Sequence, residues 1–142
     1  MKYLEENIAV TGQRTVVDFI ELKSLGFKSI INNRPDNEMA GQPSTDELST
    51  AAELQGLEYV HLPMSGSISH DLVERSKKAY ETLPKPILAF CGSGPRSAAL
   101  WCFANVHRLG VDKVIECSQA QGFQTGQLRH MLAAYLDQSA ES

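Results

Sequence analysis

Apolar residues in this chain fall into two kinds of pattern that take turns along it. Short unbroken runs at residues 7–10, 27–32, 57–62 and 87–90, bounded by Gly, Pro, Asn or Ser, predict four strands. Between them the apolar positions recur at helical spacing. A first helix is expected from about Thr15, where Thr15 and Asp18 have capping-box spacing; Val16, Phe19 and Ile20 face inward and Leu25-Gly26 ends it. A second opens at Ser44-Thr45-Asp46-Glu47, runs to Gly56, and buries Leu48, Ala51 and Ala52. Ser69 caps a third, whose stripe is Leu72, Val73, Ser76, Tyr80 and Leu83, and which Pro84 and Pro86 stop.

Residues 95–109 are apolar on nearly every side, the mark of a central buried helix. His107 and Arg108 suit its negative C-terminal end, and Gly110 terminates it. Residues 111–122 fit a helix capped by Asp112, or a strand over their first positions; periodicity does not decide. A last helix over 126–137 puts Leu128, Met131, Leu132, Tyr135 and Leu136 on one stripe, ahead of a small polar tail at 139–142.

Alternation of strands and helices implies the α/β class: a small, mostly parallel four-stranded sheet flanked by helices, with extra helices at the C-terminal end. Ligands of such sheets bind beyond the carboxyl ends of the strands. That rule gathers three loops that are distant in sequence: residues 33–36, 63–67 and 91–96.

Bulk numbers narrow the classes. A chain of 142 residues reads as one domain, residues 1–142, able to bury about two-thirds of its unfolded surface. A formal net charge of -4 argues against a general nucleic-acid or acidic-membrane binder, so an anion site must be a local positive pocket on an acidic body. Three cysteines without motif spacing do not form a disulfide framework. Acidic residues follow Met1 where a leader would be apolar, and no run reaches membrane-spanning length; a reduced, cytoplasmic protein is expected.

The chemistry concentrates at Leu88-Ala89-Phe90-Cys91-Gly92-Ser93-Gly94-Pro95-Arg96-Ser97. A strand ends in a cysteine, a Gly-rich turn follows, and a long helix opens. Turn amides and the free donors of a helix start favour an anion, and they lower the pKa of a thiol held among them. Cys91 is therefore the candidate nucleophile, as a thiolate, with the amides of Gly92, Ser93 and Gly94 and the Arg96 guanidinium around it. Arg96 is also the bidentate partner for an oxyanion. Ser97 either hydrogen-bonds the thiolate or caps the helix. Pro95 suits the first helical position but removes one N–H from the cradle.

Three stretches, Gly26-Phe27-Lys28-Ser29-Ile30-Ile31-Asn32-Asn33-Arg34-Pro35-Asp36, Gly41-Gln42-Pro43-Ser44 and Leu88 through Trp101, together resemble the phosphatase-like domain family of beta-lactamase-hydrolase-like proteins. The resemblance implies a shortened dual-specificity-phosphatase fold, sometimes fused to persulfide dioxygenases, and a helix rather than a strand after Gly110. It also exposes departures. The family commonly has Thr where this chain has Pro95, and Arg where it has Gly92, which makes the pocket here poorer in charge and donors. Dual-specificity phosphatases carry an acidic residue in the loop after the third strand; here that loop is Pro63-Met64-Ser65-Gly66-Ser67.

Two reactions suit a thiolate in an anion hole: hydrolysis of a phosphate ester through a phosphocysteine, and sulfur transfer through a cysteine persulfide. An alkoxide leaving phosphorus needs a proton, and a placed acid is worth roughly 100- to 10,000-fold. Sulfite or a thiolate leaves unaided. Phosphatases of this type have five residues between Cys and Arg, whereas here residues 92–95 form a tighter, rhodanese-like loop. The missing acid and the short loop favour a sulfurtransferase, with phosphatase action as the alternative and a non-catalytic anion-binding module as the third reading.

Arg34, Asp36 and Ser65 are candidate rim residues, with Asp36 more simply a turn residue and Arg34 equally an ion-pair partner. His61 reads as a packed histidine, and Cys102 and Cys117 as core. No metal-ligand spacing occurs, and no metal or cofactor is expected. The expected partners are a small anionic or persulfide substrate and a persulfide-handling enzyme, with no nucleic acid and no membrane.

Overall fold

The computed structural model describes residues 1–141. Its elements run β1 (Lys2–Glu5), β2 (Ile8–Thr11), α1 (Asp18–Ser24), β3 (Ser29–Asn32), α2 (Thr45–Leu54), β4 (Glu58–His61), α3 (His70–Thr82), β5 (Ile87–Phe90), α4 (Pro95–Leu109), α5 (Val111–Gln119), a 3-10 turn (Thr125–Leu128) and α6 (Arg129–Glu141). The sheet has five strands in the order β1-β2-β5-β3-β4. β2, β5, β3 and β4 are parallel, and β1 is an antiparallel edge strand hairpinned to β2.

The sheet is buried on both faces, and alternate residues of each central strand go to opposite sides. Leu88, Phe90, Ala9 and Ile30 meet Phe19 and Leu22 of α1 and Leu48 and Ala52 of α2. Ile87, Ala89, Val10 and Ile31 meet α3 and α4, with Val114 and Ile115 of α5 and Leu132 and Tyr135 of α6 behind. α4 is the centre of this second layer, its residues 97 to 106 buried except Ala99. Such a helix is held by packing on every side rather than by an amphipathic face.

Five strands replace the four expected. In β1 only Leu4 is buried, so a four-residue edge strand carries almost no apolar signal. α1 begins at Asp18 rather than Thr15, and only half of the capping box forms: the Asp18 carboxylate accepts Thr15 N–H, while Thr15 Oγ donates to that carboxylate and Asp18 N–H goes to the Thr15 carbonyl. Its buried face is Phe19 and Leu22; Val16 and Ile20 lie at 39% and 58% exposure, because a two-turn helix on this sheet offers the core only one i, i+3 pair. α5 is a helix, but Gly110 stands at its cap position, and Asp112 sits in the first turn with Arg129 on its carboxylate. The terminal helix is split by the 3-10 turn, Met131 is exposed, and helix continues through most of the expected polar tail; Ser142 lies outside the described residues. Ser44 and Ser69 cap α2 and α3 as expected, their Oγ atoms accepting Glu47 N–H and Leu72 N–H.

β5 lies mid-sheet between β2 and β3, so the loop after it is flanked by the loops after both neighbours. The parallel strands all deliver their carboxyl ends to one edge, and the chemistry gathers there.

Candidate active site

β5 ends at Phe90 in the core, which fixes Cys91 at the strand mouth. The chain then winds through Gly92-Ser93-Gly94 into α4, with Pro95 opening the helix as its proline chemistry suggests. Gly94 is the N-cap at φ +112°, a conformation L side chains rarely adopt, and its N–H reaches Cys91 Sγ at 3.1 Å. Cys91 is buried but not in hydrocarbon. Burial pushes its thiol up, and the backbone N–H groups of Ser97, Gly94, Ser93 and Arg96 outweigh that and hold it below the ordinary thiol value. Ser97 and Arg96 thus supply amides beside those of Ser93 and Gly94, where the sequence pointed to Gly92, Ser93 and Gly94. The Ser97 hydroxyl neither caps the helix nor meets the sulfur; it donates to Asn33 Oδ1 at 2.8 Å.

The Arg96 guanidinium lies over Gly92 and is fixed there by two other loops. Its Nη1 donates to Glu38 Oε2 at 2.8 Å and to the Met64 carbonyl at 2.9 Å, and its Nη2 donates to Glu38 Oε1 at 2.9 Å. Glu38 also takes Arg34 Nε at 2.9 Å, while Arg34 Nη1 donates to Gln13 Oε1 at 3.0 Å. A methyl group on Gly92 would touch both guanidinium groups, 3.4 Å from Arg96 Nη2 and 3.7 Å from Arg34 Nε, so the two cations sit side by side above that residue. Hydrogen bonds from Arg96 and then Arg34 hold the Glu38 carboxyl down at about 2. The Glu38 bond is also the main reason the Arg96 pKa is raised, with the Cys91 charge adding to it.

Two further loops brace the turn. After β2, Gln13 N–H donates to the Gly92 carbonyl at 3.2 Å, and Gly12 lies so close that a methyl group there would stand 3.0 Å from that same oxygen. After β3, buried Asn33 donates its side-chain N–H to the Leu62 carbonyl and its backbone N–H to the Phe90 carbonyl, besides accepting Ser97. Asn33 therefore ties β3, β4, β5 and α4 together directly beneath the site.

Of the rim candidates, Arg34 is at the site. Asp36 is not: its carboxylate caps α2 by accepting Thr45 N–H at 2.9 Å, as a turn residue would. Ser65 is exposed in the loop after β4, next to Met64. His61 touches the Arg34 carbonyl at 2.7 Å and braces that loop. Cys102 is in the core against Val114 and Ser118, where burial pushes its thiol up to about 11; Cys117 is half-buried. Among the described residues, no group of three His, Cys, Asp or Glu could hold a metal ion, and no helix is long and apolar enough to cross a membrane.

Residues missed by sequence reasoning are Glu38, Gln13, Gly12 and Asn33. Arg34 and Glu38 are four apart in a loop at a strand's carboxyl end, which was a usable signal. Thr11-Gly12-Gln13 also follows a parallel strand, and the rule that collected the other three loops applies equally to it.

The description "Beta-lactamase hydrolase-like protein, phosphatase-like domain" fits residues 1–107. The beta-lactamase hydrolase-like protein of Xylella fastidiosa (strain Temecula1) is 34% identical over 126 residues, 87% of this chain, which spans only 29% of that relative's length. A candidate phosphatase from Neisseria meningitidis matches at TM-score 0.79 and 30% identity, over 94% of this chain and 96% of the other. The catalytic core of the PP-IP phosphatase SIW14 from S. cerevisiae matches at TM-score 0.63 and 20% identity, over 92% and 83% of the two chains, a likeness of fold.

Proposed function

Because the chain belongs to the family of phosphatase-like domains found in beta-lactamase hydrolase-like proteins, we propose that it is a cysteine-dependent phosphatase acting through Cys91. The observation that carries this reading is the Cys91 sulfur, whose pKa main-chain N–H groups draw below the ordinary thiol value, with the Arg96 guanidinium close to it. The thiolate attacks phosphorus; the S–P bond forms as the P–O bond to the leaving group breaks. Water then attacks the phosphocysteine, its proton passing to solvent, and releases phosphate with the thiolate restored. The cradle amides and Arg96 meet charge on the three non-bridging oxygens.

The leaving oxygen limits the substrate. The loop at residues 63–67 has no carboxyl group, and Glu38, the carboxylate nearest the two guanidinium groups, is ionised at neutral pH. Groups that depart without a proton are favoured: aryl oxides, or phosphate itself from an anhydride. The test is turnover of an aryl phosphate by the reduced protein. It should be blocked by vanadate and abolished in Cys91→Ser; turnover that survives the substitution refutes the reading.

One observation favours a second reading. The tight loop of residues 92–95 and the lack of a proton donor suit sulfur transfer, in which Cys91 takes a sulfane sulfur as a persulfide and passes it to a thiol acceptor. Thiosulfate would supply that sulfur and leave as sulfite. Intact mass after thiosulfate treatment decides it: one sulfur gained on Cys91 supports it, and none refutes it.

A further inference from the structure

A guanidinium group is planar and carries five N–H donors. In Arg96, both Nη1 donors are used, by Glu38 Oε2 and the Met64 carbonyl, and one Nη2 donor is used by Glu38 Oε1. The pair to Glu38 is end-on. The edge formed by Nε–H and the second Nη2–H is left, and it has the spacing of a bidentate oxyanion clamp. The Cys91 charge, which also raises the Arg96 pKa, places the sulfur near the same guanidinium. Free to rotate, Arg96 would spread its donors over many directions; with its far end and one side occupied, one edge is available.

We propose that Glu38 is a positioning residue, which aims the free Nε–Nη2 edge of Arg96 at the oxyanion seat above Cys91, with Arg34 holding Glu38 in place. The arrangement is carried by distance: Glu38 is joined to Arg34 at 2.9 Å and to Arg96 at 2.8 Å and 2.9 Å, from a loop 58 residues away in sequence from Arg96. Arg34, 11% exposed at its side chain, is further pinned by Gln13. Glu38 does not enter the reaction. It gives an acidic body a correctly turned cation, and it balances a positive charge that would otherwise be stacked against a second one over Gly92.

The inference rests on the reading of Cys91 and Arg96 as an oxyanion seat, and it does not need catalysis to be tested. The probe is inorganic phosphate, read by its protection of Cys91 from iodoacetamide in the full chain. Loss of an oriented, charge-assisted contact in Glu38→Gln should weaken protection about tenfold. In Arg96→Lys, whose ammonium is a point charge that needs no aiming, the same Glu38 substitution should change protection little. Equal weakening in both backgrounds means a merely structural role and overturns the proposal. Tighter phosphate binding in Glu38→Gln also overturns it, since Glu38 would then be competing for the seat. A wild-type protein that turns over no phosphate ester, yet shows the Glu38- and Arg96-linked protection, refutes the phosphatase reading and supports this one.

Discussion

Gly94→Ala tests several features of the loop at once. Gly94 sits at φ +112°, and forcing an L residue into left-handed backbone costs about 1–2 kcal/mol. The new methyl would stand 3.1 Å and 3.3 Å from two ring carbons of Phe123 and 3.6 Å from Val10. Phe123 is only partly buried and can give way, so overpacking belongs at the low end of its range, about 1–2 kcal/mol. The lower entropy of the unfolded alanine chain offsets about 0.5 kcal/mol. The net expected loss is about 1.5–3.5 kcal/mol, read as a shift of the urea midpoint. In a Phe123→Ala background the packing part should vanish and leave about 0.5–1.5 kcal/mol, the backbone strain less the unfolded-chain offset. Moving residue 94 also draws its N–H away from Cys91 Sγ, so the alkylation profile of Cys91 should shift to higher pH. A loss below 1 kcal/mol with the alkylation profile unmoved would refute both the strain and the donor role.

Ser97→Ala strips the partner from buried Asn33 Oδ1 but leaves the Ser97 amide that faces Cys91. It should cost about 1–3 kcal/mol in chemical denaturation while the alkylation pH profile stays in place. For Cys91 itself the nucleophile is the deprotonated form and its pKa is lowered, so iodoacetamide reactivity should persist below the ordinary thiol value and fall as pH drops through the lowered one. Cys102, pushed up to about 11, should stay unreactive across that range in the folded protein.

Most of the fold was legible because it rests on periodic burial. The parallel strands are runs that β5 and β3 show buried throughout, and the two Ser-capped helices announce themselves by their first four residues. β1 and the inward face of α1 were not legible, since each offers the core only one or two residues. At the site, Cys91, Arg96 and the turn between them are contiguous and were read directly. Glu38 lies outside the three loops that the sequence pattern gathers at the sheet edge. Its meaning depends on Arg96, and only the sheet order, with β5 beside β3, brings the two loops together.

The bond from Gln13 to the Gly92 carbonyl has a consequence for readiness. That carbonyl and the Ser93 N–H belong to one planar trans peptide, so their directions are opposed. Tying the oxygen outward to the neighbouring loop turns the hydrogen toward the sulfur, where Ser93 acts as a donor. Rotating this peptide would surrender a contact at each end, and the lack of a side chain on Gly12 is what lets the two loops approach closely enough for the tie. An anion arriving over Cys91 would therefore meet a loop that its neighbours already hold in shape, and would spend none of its affinity on winding it.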